Sequence, residues 1–250
     1  MSELIVLGSA SSIADVAHAN THLAIRSENG VILIDCVGSP TVRLGEAGIE
    51  LDEIDDLILT HFHPDHVSGV PLMLMNMWLT GRRKALRIYG LHHCLKRLED
   101  MMGFYAWENW PEFFPVAFHR LPDMNGVTVL KNEHVCVRSA PVRHLIPTLG
   151  LRIDAQKTGG TVAYSCDTEP CEAVVQLADN ADILLHEASG FSVGHSSPAQ
   201  AGEVAQAAGV GQLLLIHYDP AADPTEMIEE ARAHFTGQVD VALDLMRIAI

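Results

Sequence analysis

The sequence predicts an α/β domain built from many short strands, and three observations carry that prediction. Short apolar runs bounded by turn residues recur from residues 4–7 to residues 213–216. Segments of helix length alternate with them, and two of these open on a proline, Pro198 and Pro224, at the first turn, where the missing donor costs nothing. With 250 residues, 48% of them hydrophobic, and no internal repeat, the chain can bury one large core, so residues 1–250 are read as a single domain.

Taken in order, residues 4–7 read as a strand, and residues 23–25 and 31–34 flank Ser27-Glu28-Asn29-Gly30, in which Asn-Gly signals a hairpin turn. Residues 57–59 form a short apolar run that ends in Thr60, and residues 67–79 have the length and the Leu and Met content of a helix. The segment between them therefore sits on a strand-to-helix turn. Residues 87–89 suggest a strand and residues 92–102 a helix, after which residues 104–118 hold half of the aromatic side chains without clean periodicity. That aromatic segment fits a lid or substrate wall, core packing or a dimer interface equally well. In the second half, apolar pieces at 135–137, 149–153, 161–164, 182–185 and 213–216 read as strands, and residues 198–208 and 224–234 as helices.

Composition excludes several classes of function. A formal charge of −16 repels polyanions and is unlike the basic surface of a dedicated nucleic-acid binder. The five cysteines are scattered and odd in number, which argues for reduced thiols rather than a disulfide framework. The longest apolar stretch, residues 70–79, is too short for a membrane span, and the first residues lack the pattern of a signal peptide, so a cytoplasmic protein is expected.

Histidine is the unusual count, at fourteen, and spacing separates candidate ligands from the rest. In His61-Phe62-His63-Pro64-Asp65-His66, four potential ligands fall within six residues. A tight turn there, stiffened by Pro64, aims imidazoles and a carboxylate at one small volume, and this nitrogen and oxygen set suits zinc. His18, His22, His92, His93, His119, His134, His186 and His234 are read as structural.

This motif resembles that of the metallo-β-lactamase superfamily, whose usual form, Thr-His-x-His-x-Asp-His-x-x-Gly, is complete here from Thr60 to Gly69. The resemblance continues in order through Leu33-Ile34-Asp35-Cys36, Arg143-His144, Tyr164-Ser165-Cys166-Asp167-Thr168, Leu185-His186-Glu187-Ala188, Gly194-His195-Ser196-Ser197 and Leu215-Ile216-His217. It spans nearly the whole chain. The Ser-x-Asp-Thr, His-Glu-Ala and His-Ser-Ser elements are most similar to the branch containing tRNase Z and related phosphodiesterases.

The resemblance implies a four-layer αββα sandwich with the metal site at one edge. It implies two divalent metal ions, zinc first with manganese or iron as alternatives: one on His61, His63 and His144, the other on Asp65, His66 and His217, with Asp167 bridging both. A water shared by two such ions has its pKa lowered toward roughly 7, which makes hydroxide available as the nucleophile. Asp65 both ligates and orients that nucleophile. His195 is implied as the proton donor to the leaving oxygen, with Glu187 orienting it. Ser196 and Ser197 either bind a substrate phosphate or cap the following helix. Asp35 is expected to support the histidine loop as a hydrogen-bond acceptor rather than as a ligand. Cys166 stands where glycine is common in these families.

Enzymes of the tRNase Z type carry a long tRNA-binding arm, which in the common bacterial form lies between the positions of His144 and Asp167. Only 22 residues separate the two here, and they read as a simple hairpin through Thr158-Gly159-Gly160. The leading expectation is therefore hydrolysis of a small or cyclic phosphodiester, with a small molecule or short nucleotide as substrate and long nucleic acid disfavoured. The alternatives are a tRNase Z-type endoribonuclease, a hydrolase of carboxylic esters, lactones, thioesters or aryl sulfates, and, more remotely, a non-catalytic metal-binding protein. A homodimer is compatible with the sequence.

Overall fold

Alternation along the strands dictates how many layers the molecule has. In the first strand, Ile5 and Leu7 enter one apolar core while Leu4 and Val6 enter another. Near the other end of the chain, Leu214 and Ile216 join that second core, whereas Leu213 and Leu215 enter a third. A strand with both faces apolar must be covered on both sides, and burying each such side chain contributes about 1.5–3 kcal/mol. The computed structural model, which describes residues 2–250, accordingly stacks two sheets face to face with helices outside each.

The first sheet contains β1 (Glu3–Gly8), β2 (His22–Ser27), β3 (Gly30–Ile34), β4 (Ile54–Ile58), β5 (Leu86–Leu91) and β6 (Val116–Leu121). The second contains β7 (Val127–Lys131), β8 (Val135–Val142), β9 (Thr148–Ala155), β10 (Thr161–Tyr164), β11 (Ile183–Glu187), β12 (Gln212–Ile216) and β13 (Gln238–Val241), and β14 (Arg247–Ala249) returns to pair with β1. The strand orders are β14-β1-β2-β3-β4-β5-β6 and β13-β12-β11-β10-β9-β8-β7. Helices α1 (Pro40–Glu46), α2 (Pro64–Val67), α3 (Val70–Leu79) and α4 (His92–Phe104) belong to the first half of the chain, and Leu44 of α1, Met73 of α3 and Leu98 of α4 pack on the outer face of the first sheet. Helices α5 (Glu172–Leu177), α6 (Pro198–Ala208) and α7 (Pro224–Arg232) cover the second sheet. This is the αββα sandwich expected above.

Pairing places all the chemistry at one edge. Strands β3 to β6 are mutually parallel, as are β10 to β13, and β8 runs the same way as β10 because both are antiparallel to β9. Asp35, the His61–His66 segment, His144, Asp167, Ser189 and His217 all follow the C-terminal ends of strands, the ends at which open α/β sheets generally bind ligands.

Three local expectations are refined. The hairpin forms, but its two loop residues are Glu28 and Asn29, and Gly30 pairs with Ser27 at φ 122°. The helix read over residues 67–79 is split into α2 and α3 at Ser68-Gly69. Gly69 N–H donates to Cys36 O at 2.9 Å, and a Cβ on Gly69 would stand 2.8–2.9 Å from the Val37 backbone, so only glycine lets the histidine loop pack this close to the Asp35 turn. Gly69→Ala is expected to lower stability by about 1–3 kcal/mol through overpacking and to weaken metal retention, read by thermal melting and metal analysis. In the aromatic segment, Trp107, Trp110, Phe113 and Phe118 pack against the outer core and Phe114 lies inside it, while Phe104 and Tyr105 are exposed. The core-packing reading holds for those five. No helix among the described residues is long and apolar enough to cross a membrane.

Candidate metal centre

Every predicted ligand reaches one small volume, in two sets that share Asp167: His61, His63 and His144, and Asp65, His66 and His217. In the first set, His63 Nδ1 lies 3.0 Å from His61 Nε2 and 3.1 Å from His144 Nε2, and Asp167 Oδ2 lies 3.8 and 3.9 Å from those two Nε2 atoms. In the second, His66 Nε2 is 3.7 Å from Asp65 Oδ2 and 3.5 Å from Asp167 Oδ1, and His217 Nε2 is 3.6 Å from Asp65 Oδ2 and 3.5 Å from Asp167 Oδ2. Donors about 2.1 Å from a shared tetrahedral zinc stand about 3.4 Å apart, so both sets have the spacing of ligands around a common cation. His66 Nε2 and His217 Nε2 are buried with no hydrogen-bond partner among the described residues. Buried polar atoms are rarely left so, and a cation held by the second set, to which both belong, would account for them.

The outward nitrogens show why these lone pairs face inward. Asp35, fully buried, accepts from His66 Nδ1 at 2.8 Å, from Thr60 N–H at 2.8 Å and from the Thr60 hydroxyl at 2.7 Å. The Thr60 oxygen in turn accepts from His61 Nδ1 at 3.1 Å. One carboxylate thus orients an imidazole in each set, which is the supporting role the sequence suggested. His144 Nδ1 donates to Gly194 O at 2.7 Å, and His217 Nδ1 donates to Ser189 Oγ at 2.7 Å while that hydroxyl donates to His217 O at 2.8 Å. Sequence reasoning missed Thr60, Ser189 and the Gly194 carbonyl as supports. Asp35→Ala is expected to weaken metal binding about 10–100-fold, measured by chelator competition, because His66 loses its orienting acceptor and Thr60, the acceptor of His61, loses the carboxylate that fixes it.

Backbone strain gathers here too. Asp35, Cys166 and His217 have φ of 59°, 53° and 52°, each at or near the end of a strand. The left-handed region costs a non-glycine residue about 1–2 kcal/mol, and such strain concentrates at functional sites. Cys166 therefore occupies a position suited to glycine. Its buried side chain instead fills the core between the sheets, with Sγ 3.7 Å from His61 Nδ1.

Electrostatics favour positive charge at the centre. Burial pushes the Asp167 carboxyl up, but His217 and His66 outweigh it and hold it well below the usual carboxylate range. Burial opposes a charge on His66, yet Asp167 and Asp35 hold that imidazole well above its ordinary value. Burial lowers His61, His63 and His144 and keeps them neutral, the protonation state that ligates a cation.

Beside the centre, His195 Nδ1 lies 2.9 Å from Glu187 Oε1, and its ring stacks on that of His217 at 5.9 Å between centroids. The hydrogen bond to Glu187 raises the His195 pKa against the effect of partial burial. Glu187 is itself fixed by Thr168 N–H at 2.8 Å and Ser189 N–H at 3.1 Å. The two serines that follow are engaged within the fold. The fully buried Ser196 donates to Thr168 O at 2.6 Å, and Ser197 forms a capping box with Gln200 at the start of α6. Helix capping, rather than phosphate contact, is the role this geometry gives Ser197, and Ser196 offers no free hydroxyl to a substrate.

A two-sheet αββα sandwich with clustered histidines and aspartates on its C-terminal edge defines a class of metal-binding hydrolase folds. Residues 31–218 match the model of the Beta-lactamase superfamily domain, and the chain belongs to that family. Among its relatives, the Ribonuclease Z of Methanothermobacter thermautotrophicus is 28% identical over 310 positions that cover 100% of this chain and 97% of the relative. That span exceeds the 250 residues present here by 60 positions. The crystal structure of human tRNase Z, short form, superposes with a TM-score of 0.80 at 21% identity, covering 99% of each chain. A diphosphatase from the PhnP family superposes at 0.78 with 18% identity, covering 100% of this chain and 98% of the other.

Proposed function

We propose that the protein is a dinuclear metal-dependent hydrolase, with zinc as the metal, that cleaves a small or cyclic phosphodiester, and that residues 1–250 act as one domain. The observation that carries this reading is the convergence of two ligand sets on Asp167 beside the Glu187–His195 pair. In the first set His61 and His144 would ligate through Nε2 and His63 through Nδ1; in the second, Asp65 would ligate with His66 and His217. When bound, two divalent cations would acidify water to yield a nucleophile at neutral pH and neutralise charge gathering on the phosphoryl oxygens. The protein's own residues supply the remainder. Asp65, 15% exposed at its side chain, presents a carboxylate that can accept a hydrogen bond from the attacking water and set its direction. His195 holds a proton through Glu187 and delivers it from Nε2 to the departing oxygen.

Two observations favour a small substrate over precursor tRNA. Residues 156–160 link β9 to β10 directly, with Ala155 N–H donating to Gly160 O at 2.8 Å, so no arm projects between His144 and Asp167. The formal charge of −16 also opposes a long polyanion, leaving attraction to the site alone. A tRNase Z-type activity remains the second reading, favoured by relatives of that name matching the full chain. A panel run on protein of known metal content separates the two. Turnover of bis-p-nitrophenyl phosphate and cyclic nucleotides with no cleavage of precursor tRNA is expected. Endonucleolytic cleavage of precursor tRNA at comparable efficiency selects the second reading, and turnover of carboxylic or sulfate esters alone defeats both.

A further inference from the structure

Outside the ligand sets, His195 also forms one wall of a cavity of about 590 Å³, which Arg143, Glu169, Phe191, Val193 and Gln200 line as well. Phe191 and Val193 sit on the loop of residues 189–194, between β11 and α6. That loop is short and tied down: Gly190 N–H donates to Ser196 O at 3.1 Å, His195 N–H to Ser192 O at 3.1 Å, and Gly194 N–H to the Glu169 carboxylate at 2.9 Å. Gly194, at φ 83°, lies so close to His144 and Leu145 that a Cβ would stand 3.0 Å from each. The base of the loop is therefore fixed to the metal centre, while Phe191 and Val193 at its tip are 87% and 75% exposed. Leu145, against Gly194 at the base of the loop, is 60% exposed. Three large apolar side chains held in water around one polar site contribute nothing to the core, and a grouping of this kind marks a ligand surface.

We propose that this cavity is the leaving-group subsite and that it takes an alcohol bearing a flat aromatic ring, an aryl or nucleoside group, against Phe191 and Val193. The inference rests on the phosphodiester reading above. A proton donor must reach the departing oxygen, so whatever that oxygen carries lies on the His195 side of the site, and the cavity is on that side. His195 Nδ1 is held by Glu187, which leaves Nε2 to face the substrate. In the reaction the water oxygen forms the new bond to phosphorus, the bond to the leaving oxygen breaks, the His195 proton goes to that oxygen, and a proton from the water is restored to His195. Arg143, 68% exposed at its side chain and 3.8 Å from Glu169, sets a cation beside the ring position, suited to the polar edge of a base.

The test compares methyl phosphodiesters whose leaving alcohol is either aryl or fluoroalkyl of matched acidity, on metal-loaded protein. Phe191→Ala is expected to lower the aryl-to-fluoroalkyl ratio of kcat/KM about tenfold, mainly through KM, the size typical of losing one stacking partner. Phe191→Tyr should restore the ratio, and Phe104→Ala, at a 90% exposed site on α4, should leave it unchanged. A dinucleoside monophosphate in the same series distinguishes a nucleoside leaving group from a simple aryl one. An unchanged ratio in Phe191→Ala, with turnover intact, overturns the subsite alone. Failure of the wild type to hydrolyse either diester overturns the reaction itself, and the subsite with it.

Discussion

Asp167→Ala is expected to lose both metal ions and at least about 10³-fold in phosphodiester turnover, since several kcal/mol of transition-state stabilisation leave with the cations. Asp167 is the one side chain common to both sets, with Oδ2 facing His61, His144 and His217 and Oδ1 facing His66. Its removal leaves each set with three donors and no shared anion to offset two neighbouring cations. The fold should persist, because the strands around it are held by three apolar cores that do not include Asp167. Metal analysis alongside circular dichroism checks this. A folded Asp167→Ala protein that keeps two equivalents of metal contradicts the bridging role.

His195→Ala separates proton donation from metal binding. The variant is expected to keep both metals and to lose about 10²–10⁴ in rate on diesters with poor leaving groups. A p-nitrophenolate departs without a proton, so the loss on that substrate should be much smaller. The contrast matters because Glu187, His195 and His217 offer donor atoms close enough to form a third metal-ligand group. The geometry argues against that alternative, since the Glu187 oxygens are occupied by Thr168 N–H, Ser189 N–H and His195 Nδ1. Loss of metal from His195→Ala would nevertheless convert His195 from donor to ligand.

The His61–His66 cluster was legible because its donors are side chains of rare types at close spacing after a strand end, and His144, Asp167 and His217 were added only by the resemblance to the metallo-β-lactamase superfamily. All seven candidate ligands meet in space, although His144, Asp167 and His217 lie far from the His61–His66 turn in the chain. Part of the support was readable for the same reason: Asp35 is a charged residue closing an apolar strand. Gly194 was not, because its contribution is a backbone carbonyl, and Ser189 was not, because a hydroxyl after a strand carries no distinguishing signal. That His63 turns Nδ1 toward His61 and His144 depends on ring orientation, which spacing does not encode. In the fold, α6 was predicted residue for residue from Pro198 to Ala208, where a proline and a capping serine mark the start and Gly209, at φ 65°, marks the end. Helices α1 and α5, of seven and six residues, are too short for a 3.6-residue period to emerge. The pairing of β14 with β1 joins the two ends of the chain, and no local pattern specifies a partner that distant.

Titrating metal-free protein with zinc while following hydrolysis of bis-p-nitrophenyl phosphate tests the central claim most directly. The two ligand sets predict that turnover rises until two equivalents per chain are bound and is then constant. Turnover complete at one equivalent, or none at two, contradicts a dinuclear phosphodiesterase.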